Sequence, residues 1–166
     1  FGVFIVLHMR EVLAYSNFVV GLHVSLLTMA GIVSTPLMGY LSDQIGRKPV
    51  ITTAMSLMSL ILFTFLYVDS GLLLTLLIGL LGLFIFSVMP IITAAAMDQV
   101  ESGTEGSITA LIFTGSGVVA AISPMIAGGI YAEHQFHGVV ILTGVIAIGS
   151  VILSFILPMT SSENKI

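Results

Sequence analysis

The sequence predicts an all-α membrane protein: a polytopic bundle of five full transmembrane helices plus the end of a sixth. Of its 166 residues, 57% are hydrophobic and only 7% are charged, and the mean hydropathy is +1.20. A soluble domain carries roughly a quarter of its residues as charged side chains. Apolar stretches of about 20 residues, long enough to cross a bilayer, recur between short polar breaks. The chain therefore belongs in lipid rather than in water.

The apolar stretches divide the chain into its predicted elements. Residues 1–7 are too short to span a bilayer and are typical of the last turns of a longer helix, so we expect a fragment. Each break between spans contains charged residues or turn formers, and the short connections predict antiparallel neighbours. The predicted spans are approximately 17–41, 49–68, 72–97, 107–132 and 138–157, and a polar tail follows at 159–166.

The basic residues predict the orientation. Arg47 and Lys48 share the break at 42–48, and loops rich in Lys and Arg remain in the cytoplasm. Alternation of antiparallel spans then places 98–106 and the C-terminus on the same cytoplasmic side. We expect a multi-pass protein of the cell (plasma or inner) membrane.

Small residues and prolines within the spans predict how the helices meet. In lipid, close packing through small side chains supplies much of the attraction between helices. The alternative is that some of these positions let helices rock or bend, and Pro90 and Pro124 should loosen the backbone hydrogen bonds locally. The packing or hinge candidates are Gly31, Gly115, Gly117, Ser123, Pro124, Gly128 and Gly129.

The stretch GYLSDQIGRKP is the densest cluster of charged residues near a span end. Asp43 follows the predicted span, Gly46 allows a tight turn, and Arg47 lies four positions after Asp43, close enough to pair with it. A loop that only fixes topology would explain Arg47 and Lys48. It would not explain Asp43 or the two flanking glycines.

The whole pattern resembles the signature loop of the major facilitator superfamily of secondary transporters. The stretch from 102 to 131, SGTEGSITALIFTGSGVVAAISPMIAGGIY, is similar to the family's entry into helix eleven and to that helix. The resemblance implies that residues 1–166 are the carboxy-terminal half, with the end of helix seven followed by helices eight to twelve; the amino-terminal half is the alternative. The matching loop residues are Gly39, Leu41, Ser42, Asp43, Gly46, Arg47 and Lys48.

The resemblance also implies a gate at this loop. Asp43 would accept hydrogen bonds from a helix N-terminus in the missing N-terminal half, where the helix dipole favours an anion. Arg47 would bridge Asp43 to Asp98 at the cytoplasmic face. The alternative for Asp98 is a solvated loop acid.

The same resemblance places a transport path near the bilayer midplane, between two pseudo-symmetric halves. For each path candidate, ordinary packing is the alternative, and for His23 the choice lies between a proton path and an interfacial histidine. The spans contain no Asp, Glu, Lys or Arg at membrane depth, which favours a neutral or amphiphilic solute. The candidates are Phe84, Ser87, Pro90, Thr93 and His23.

Enzymatic signatures are missing from the sequence: it has no phosphate-binding glycine loop with Lys-Ser/Thr, no nucleophile elbow and no specific metal motif. We therefore expect no catalytic site, cofactor or metal, and the small net charge of -4 does not indicate a nucleic-acid partner. The expected function is alternating-access transport of a small solute, as a facilitator or a proton-coupled efflux transporter. Its expected partners are the lipid bilayer, the missing half, the small-molecule substrate and, if coupled, protons. The alternative is a non-transporting polytopic subunit that anchors a membrane complex.

Overall fold

A computed structural model describes residues 1–68, 70–100 and 103–156, and these residues fold as helices joined by short turns, with no β-strand among them. This confirms the prediction of an all-α bundle. The predicted tail at 159–166 and part of the predicted break at 98–106 lie outside the described residues. The helices are α1 (Gly2–Glu11), α2 (Asn17–Ile45), α3 (Arg47–Thr64) with a following 3-10 turn (Phe65–Tyr67), α4 (Leu72–Ile85), α5 (Val88–Met97) and α6 (Glu105–Ile156).

The last helix contains two spans. At 52 residues, α6 would be about 78 Å long if it were straight, more than twice the thickness of a bilayer core. Its backbone leaves helical geometry at Gln135, where φ is 54° and ψ is -153°. We call the segments on either side α6a (105–134) and α6b (136–156). They correspond to the fourth and fifth predicted spans.

The first full span runs further than the sequence predicts. Helix α2 begins at Asn17, as expected, but it ends at Ile45 rather than at 41. The predicted loop at 42–48 therefore reduces to Gly46, whose φ of 97° reverses the chain in one residue. The helix tolerates Ser42 because its hydroxyl donates to the Gly39 carbonyl at 2.8 Å.

The predicted span at 72–97 is broken into α4 and α5. Proline lacks an N–H and its ring clashes with the carbonyl four residues earlier, here that of Phe86. Just before Pro90, the Ser87 N–H bonds to the Phe84 carbonyl at 3.2 Å, a tighter turn than an α-helix makes. The expectation that Pro90 loosens its helix is confirmed. Helix α6a, in contrast, stays helical through Pro124.

Two helix pairs approach closely through glycine. In the α2–α4 pair, Gly31 faces Phe86, and a Cβ added to Gly31 would lie 2.8 Å from the Phe86 Cβ. In the α3–α6b pair, a Cβ on Gly144 would lie 2.7 Å from the Phe63 ring. The glycines therefore set how near these helices can come.

Helix α6a packs much less than the other spans. Residues 113–126 are all exposed, and Ser123 and Pro124 are among them. An added Cβ would meet no described atom within 4 Å at four of the glycines predicted to pack or hinge. These are Gly115, Gly117, Gly128 and Gly129.

Two apolar clusters hold the bundle together. The larger joins α1, α2, α4 and α6 and includes Phe4, Leu74 and Val139. The smaller lies between α3 and α5, where Ile51 and Ile91 are buried. The smaller cluster lies next to the first turn of α3, and so it supports the charged residues described below.

Candidate functional site

Arg47 is the centre of a charged cluster that joins three helices. Its Nε lies 3.1 Å from Asp98 Oδ2, and its Nη1 forms an ion pair with Asp43 Oδ1. Nη1 also donates to Ser42 Oγ at 2.7 Å. The family resemblance implies a gate formed by these three charged residues, and the structure brings them together. We call Asp43, Arg47 and Asp98 the clasp.

Each residue of the clasp lies at a helix end that disfavours its charge. Asp43 is in the last turn of α2 and Asp98 is the C-cap of α5, where the helix dipole opposes an anion. Arg47 is the first residue of α3, where the dipole opposes a cation. Each placement costs about 0.3–1 kcal/mol in isolation. The three charges therefore depend on one another for compensation.

Lys48 connects the same turn to a fourth helix. Its Nζ donates to the Phe155 carbonyl at 3.0 Å, in the last turn of α6b. A cation at this end of a helix is favourable because it meets unpaired carbonyl groups. One turn further along α3, the hydroxyls of Thr52 and Ser154 are buried 3.0 Å apart. The clasp and the end of α6b therefore lie at the same end of the bundle.

Of the remaining residues of the predicted loop, Gly46 contributes through its backbone. Gly46 supplies the positive φ that turns the chain between α2 and α3. Gly39 meets no described atom within 4 Å of an added Cβ, and Leu41 is exposed. The structure therefore assigns Gly39 and Leu41 no contact in the clasp.

The predicted path residues between 84 and 93 differ in their burial. Ser87 is fully buried, whereas Pro90 is exposed. The Thr93 hydroxyl bonds its own helix, at the Met89 carbonyl, and Phe84 is half-buried. At the break before Pro90, the Ser87 hydroxyl faces α2, and the role of these residues in a transport path stays a prediction.

Ser34, which the sequence analysis does not single out, pairs with Ser87 at this break. The two hydroxyls are 2.8 Å apart, and both also lie within hydrogen-bond distance of the Leu83 carbonyl, at 2.6 and 2.7 Å. That carbonyl has lost its usual helical donor, the Ser87 N–H, to Phe84. In lipid a freed carbonyl needs such a replacement. Serine one turn before a proline is the sequence signal that could have identified this arrangement.

A cavity of about 240 Å³ lies between α1, α2 and α4. Its walls are mainly apolar, with Met9, Leu27 and Leu81 among them, and Phe86 near the helix break. His23 is the predicted path residue that lines it. The cavity lies in the half of the bundle farther from the clasp, which we call the outer end.

Among the described residues, no group of three or more His, Cys, Asp or Glu side chains is arranged to hold an ion. The two polar side chains on the cavity wall are hydrogen-bonded within the protein: Thr28 donates to the Val24 carbonyl at 2.9 Å, and the His23 ring has two partners.

Helices long and apolar enough to span a bilayer, joined at their ends by a charged turn, define a multi-pass membrane protein. A comparison of the sequence with protein families supports this class, because the family model for the Major Facilitator Superfamily matches residues 1–166. The chain belongs to that superfamily, whose members are transporters. A comparison with curated proteins finds no match.

Proposed function

We propose that the chain is the carboxy-terminal half of a secondary transporter that moves a small solute by alternating access. In this proposal the clasp end faces the cytoplasm of the cell membrane, and the clasp stabilises one of the two access states. The observation that supports it most is the position of Arg47, which joins α2, α3 and α5 through one side chain.

The energetics suit a switch rather than a permanent bond. Exposed ion pairs contribute about 0–1 kcal/mol, and here 60% of the Asp43 side chain and 38% of the Asp98 side chain are exposed. Two access states that interconvert differ by only a few kcal/mol. A contact of this strength can bias the equilibrium without locking it. The exposure of Asp43 also leaves its carboxylate accessible to a helix N-terminus of the other half.

The solute that fits this half is neutral or amphiphilic. Along the described spans, charged side chains lie at the helix ends and not between them, and the cavity wall is mainly apolar. A strongly charged solute would have no compensating partner here. Efflux of apolar, drug-like molecules driven by a proton gradient is the specific form of transport that we propose.

The clasp is tested by Arg47→Ala in the full-length transporter in bilayers. We expect the ratio of the two access states to change by up to about fivefold, since that corresponds to about 1 kcal/mol. Distances between spin labels at the cytoplasmic ends of the two halves report this ratio. Arg10→Ala is the matched control, because Arg10 is an exposed arginine at the end of α1. An unchanged ratio in Arg47→Ala would contradict the clasp.

Transport itself is tested by a screen of neutral and amphiphilic compounds in proteoliposomes containing the full-length protein. Uptake that depends on an imposed proton gradient supports coupled transport, and uptake without one supports a facilitator. If no compound crosses the membrane faster than in empty liposomes, the anchoring subunit becomes the better explanation.

A further inference from the structure

His23 is a buried titratable side chain that the clasp does not use. Only 8% of its surface is exposed, and it lies less than two turns from the start of α2, on the wall of the cavity. Its Nδ1 is 2.8 Å from the Val19 carbonyl. Because a carbonyl can only accept, Nδ1 must carry a proton. The neutral ring therefore has a bare Nε2.

Thr75 on α4 can serve Nε2 in both of its protonation states. The Thr75 hydroxyl lies 2.9 Å from Nε2 and 3.3 Å from the Gly71 carbonyl. When Nε2 is bare, the hydroxyl donates to it. When Nε2 carries a proton, Nε2 donates to the hydroxyl oxygen, and the hydroxyl hydrogen can turn to the Gly71 carbonyl. No heavy atom has to move, and no buried polar group loses its partner.

Few other ionisable groups face this ring in the described part of the chain. Tyr15 stacks on it with ring centroids 5.9 Å apart, and the Tyr15 hydroxyl accepts from the Gly71 N–H at 3.2 Å. Helix α4 contributes Thr75 and no charged residue. On α1, Arg10 and Glu11 are exposed, and the buried His8 ring stacks on Phe136, with centroids 4.4 Å apart. Tyr15 and Gly71 thus hold both sides of the His23–Thr75 pair in place.

We propose that His23 and Thr75 form a reversible proton-binding site that opens onto the apolar cavity. A proton from water binds Nε2 as the Thr75 hydroxyl turns to Gly71, and the reverse movement releases it. The inference rests on the proposed transport function: a solute in the cavity would exclude water from the ring, so solute and proton would influence each other's binding. His23 would then be the proton-coupling residue of this half.

The proton site is tested first without any solute, by ¹⁵N NMR of the histidine rings in the purified full-length protein. We expect the neutral His23 ring to carry its proton on Nδ1, and a second form with protons on both ring nitrogens to appear as the pH of the sample is lowered. Thr75→Val should change the Nε2 signal, and Thr75→Ser should restore it. A bare Nδ1, or a ring that does not titrate, would overturn the inference even if transport is normal.

The second measurement uses a compound that the proteoliposome screen shows to be transported. We expect its transport rate to depend on pH in the wild type and to lose that dependence in His23→Gln. His134→Gln is the matched control, since His134 is exposed and lies away from the cavity wall; it should keep the wild-type profile. If the transport rate of His23→Gln still depends on pH, the coupling role is refuted while transport remains established. Absence of transport with a titrating His23 would contradict only the proposed function.

Discussion

Arg47 uses different nitrogen atoms for its two carboxylate partners, Nε for Asp98 and Nη1 for Asp43. The two contacts have different structural roles. Asp43 lies four residues before Arg47, so its pair spans only the turn between α2 and α3. Asp98 lies at the end of α5, and its pair therefore attaches a separate helix. The planar guanidinium suits both contacts at once, which the compact ammonium of lysine does not.

The two carboxylates should therefore respond differently to neutralisation. We predict that Asp98→Asn lowers the free energy of unfolding by up to about 1 kcal/mol and loosens α5, whereas Asp43→Asn costs only a few tenths. Thermal unfolding in detergent measures the stability, and hydrogen exchange of the amides at 94–98 measures the attachment of α5. Equal effects of the two substitutions on α5 exchange would show that Asp98 does not hold the helix.

At the scale of helices, α2 and α4 approach each other closely at Gly82. A Cβ added to Gly82 would collide with the Leu27 carbonyl oxygen, and it would lie 3.0 Å from the Leu27 Cα. One turn earlier, a Cβ on Gly79 would lie 3.5 Å from a methyl group of Leu26, an ordinary contact. The two glycines on α4 thus differ in what faces them: backbone at Gly82 and a flexible side chain at Gly79.

We predict that Gly82→Ala destabilises the protein by about 1–3 kcal/mol, because the α2 backbone cannot move aside without repacking. Gly79→Ala is the matched control, and its stability should stay the same or rise by up to about 1 kcal/mol, since alanine favours a helix. Unfolding of both variants in detergent gives the comparison. A neutral Gly82→Ala would mean that the two helices separate at no cost.

The sequence predicts the helices of this protein better than the contacts between them. The start of α2 could be predicted because a polar segment ends there, and Ser16 caps it by accepting from the Val19 N–H at 3.4 Å. The contact of Gly82 with Leu27 could not be predicted from the sequence, because a helix that is apolar on all sides does not show which face meets a neighbour.

Some contacts of the candidate site can also be predicted from the sequence, and others cannot. Asp43 and Arg47 are four residues apart, a spacing that predicts their contact. Asp98 was predicted from the family resemblance and not from spacing. The bond between Lys48 and the Phe155 carbonyl joins residues far apart in the sequence, and a backbone acceptor leaves no trace in the sequence.

Across the whole molecule, α2 connects the two ends of the bundle. His23 and Asp43 are 20 residues apart on it, about 30 Å along a helix, which is the thickness of a bilayer core. Between them, Ser34 contacts the break in the α4–α5 span. Pro36 also lies inside α2, and because proline has no N–H, the Ile32 carbonyl one turn earlier has no helical donor. One helix therefore contacts the cavity, the break and the clasp.

Helix α6a is the part of the molecule whose packing is least complete. Gly117, Ala121 and Gly128 lie on one of its faces, since they are four and seven residues apart. In the proposed transporter, the other half would approach α6a along it, because small residues let membrane helices pack closely.

We predict that Ala121→Leu destabilises the full-length transporter by about 1–3 kcal/mol, because the larger side chain would separate the two halves. Val119→Leu is the control: Val119 is 66% exposed and lies about 200° around the helix from Ala121, so its change should remain within about 0.5 kcal/mol. Thermal unfolding of the full-length protein in detergent measures both. If Ala121→Leu is as well tolerated as Val119→Leu, this face meets lipid, and the two halves must join along another surface of the bundle.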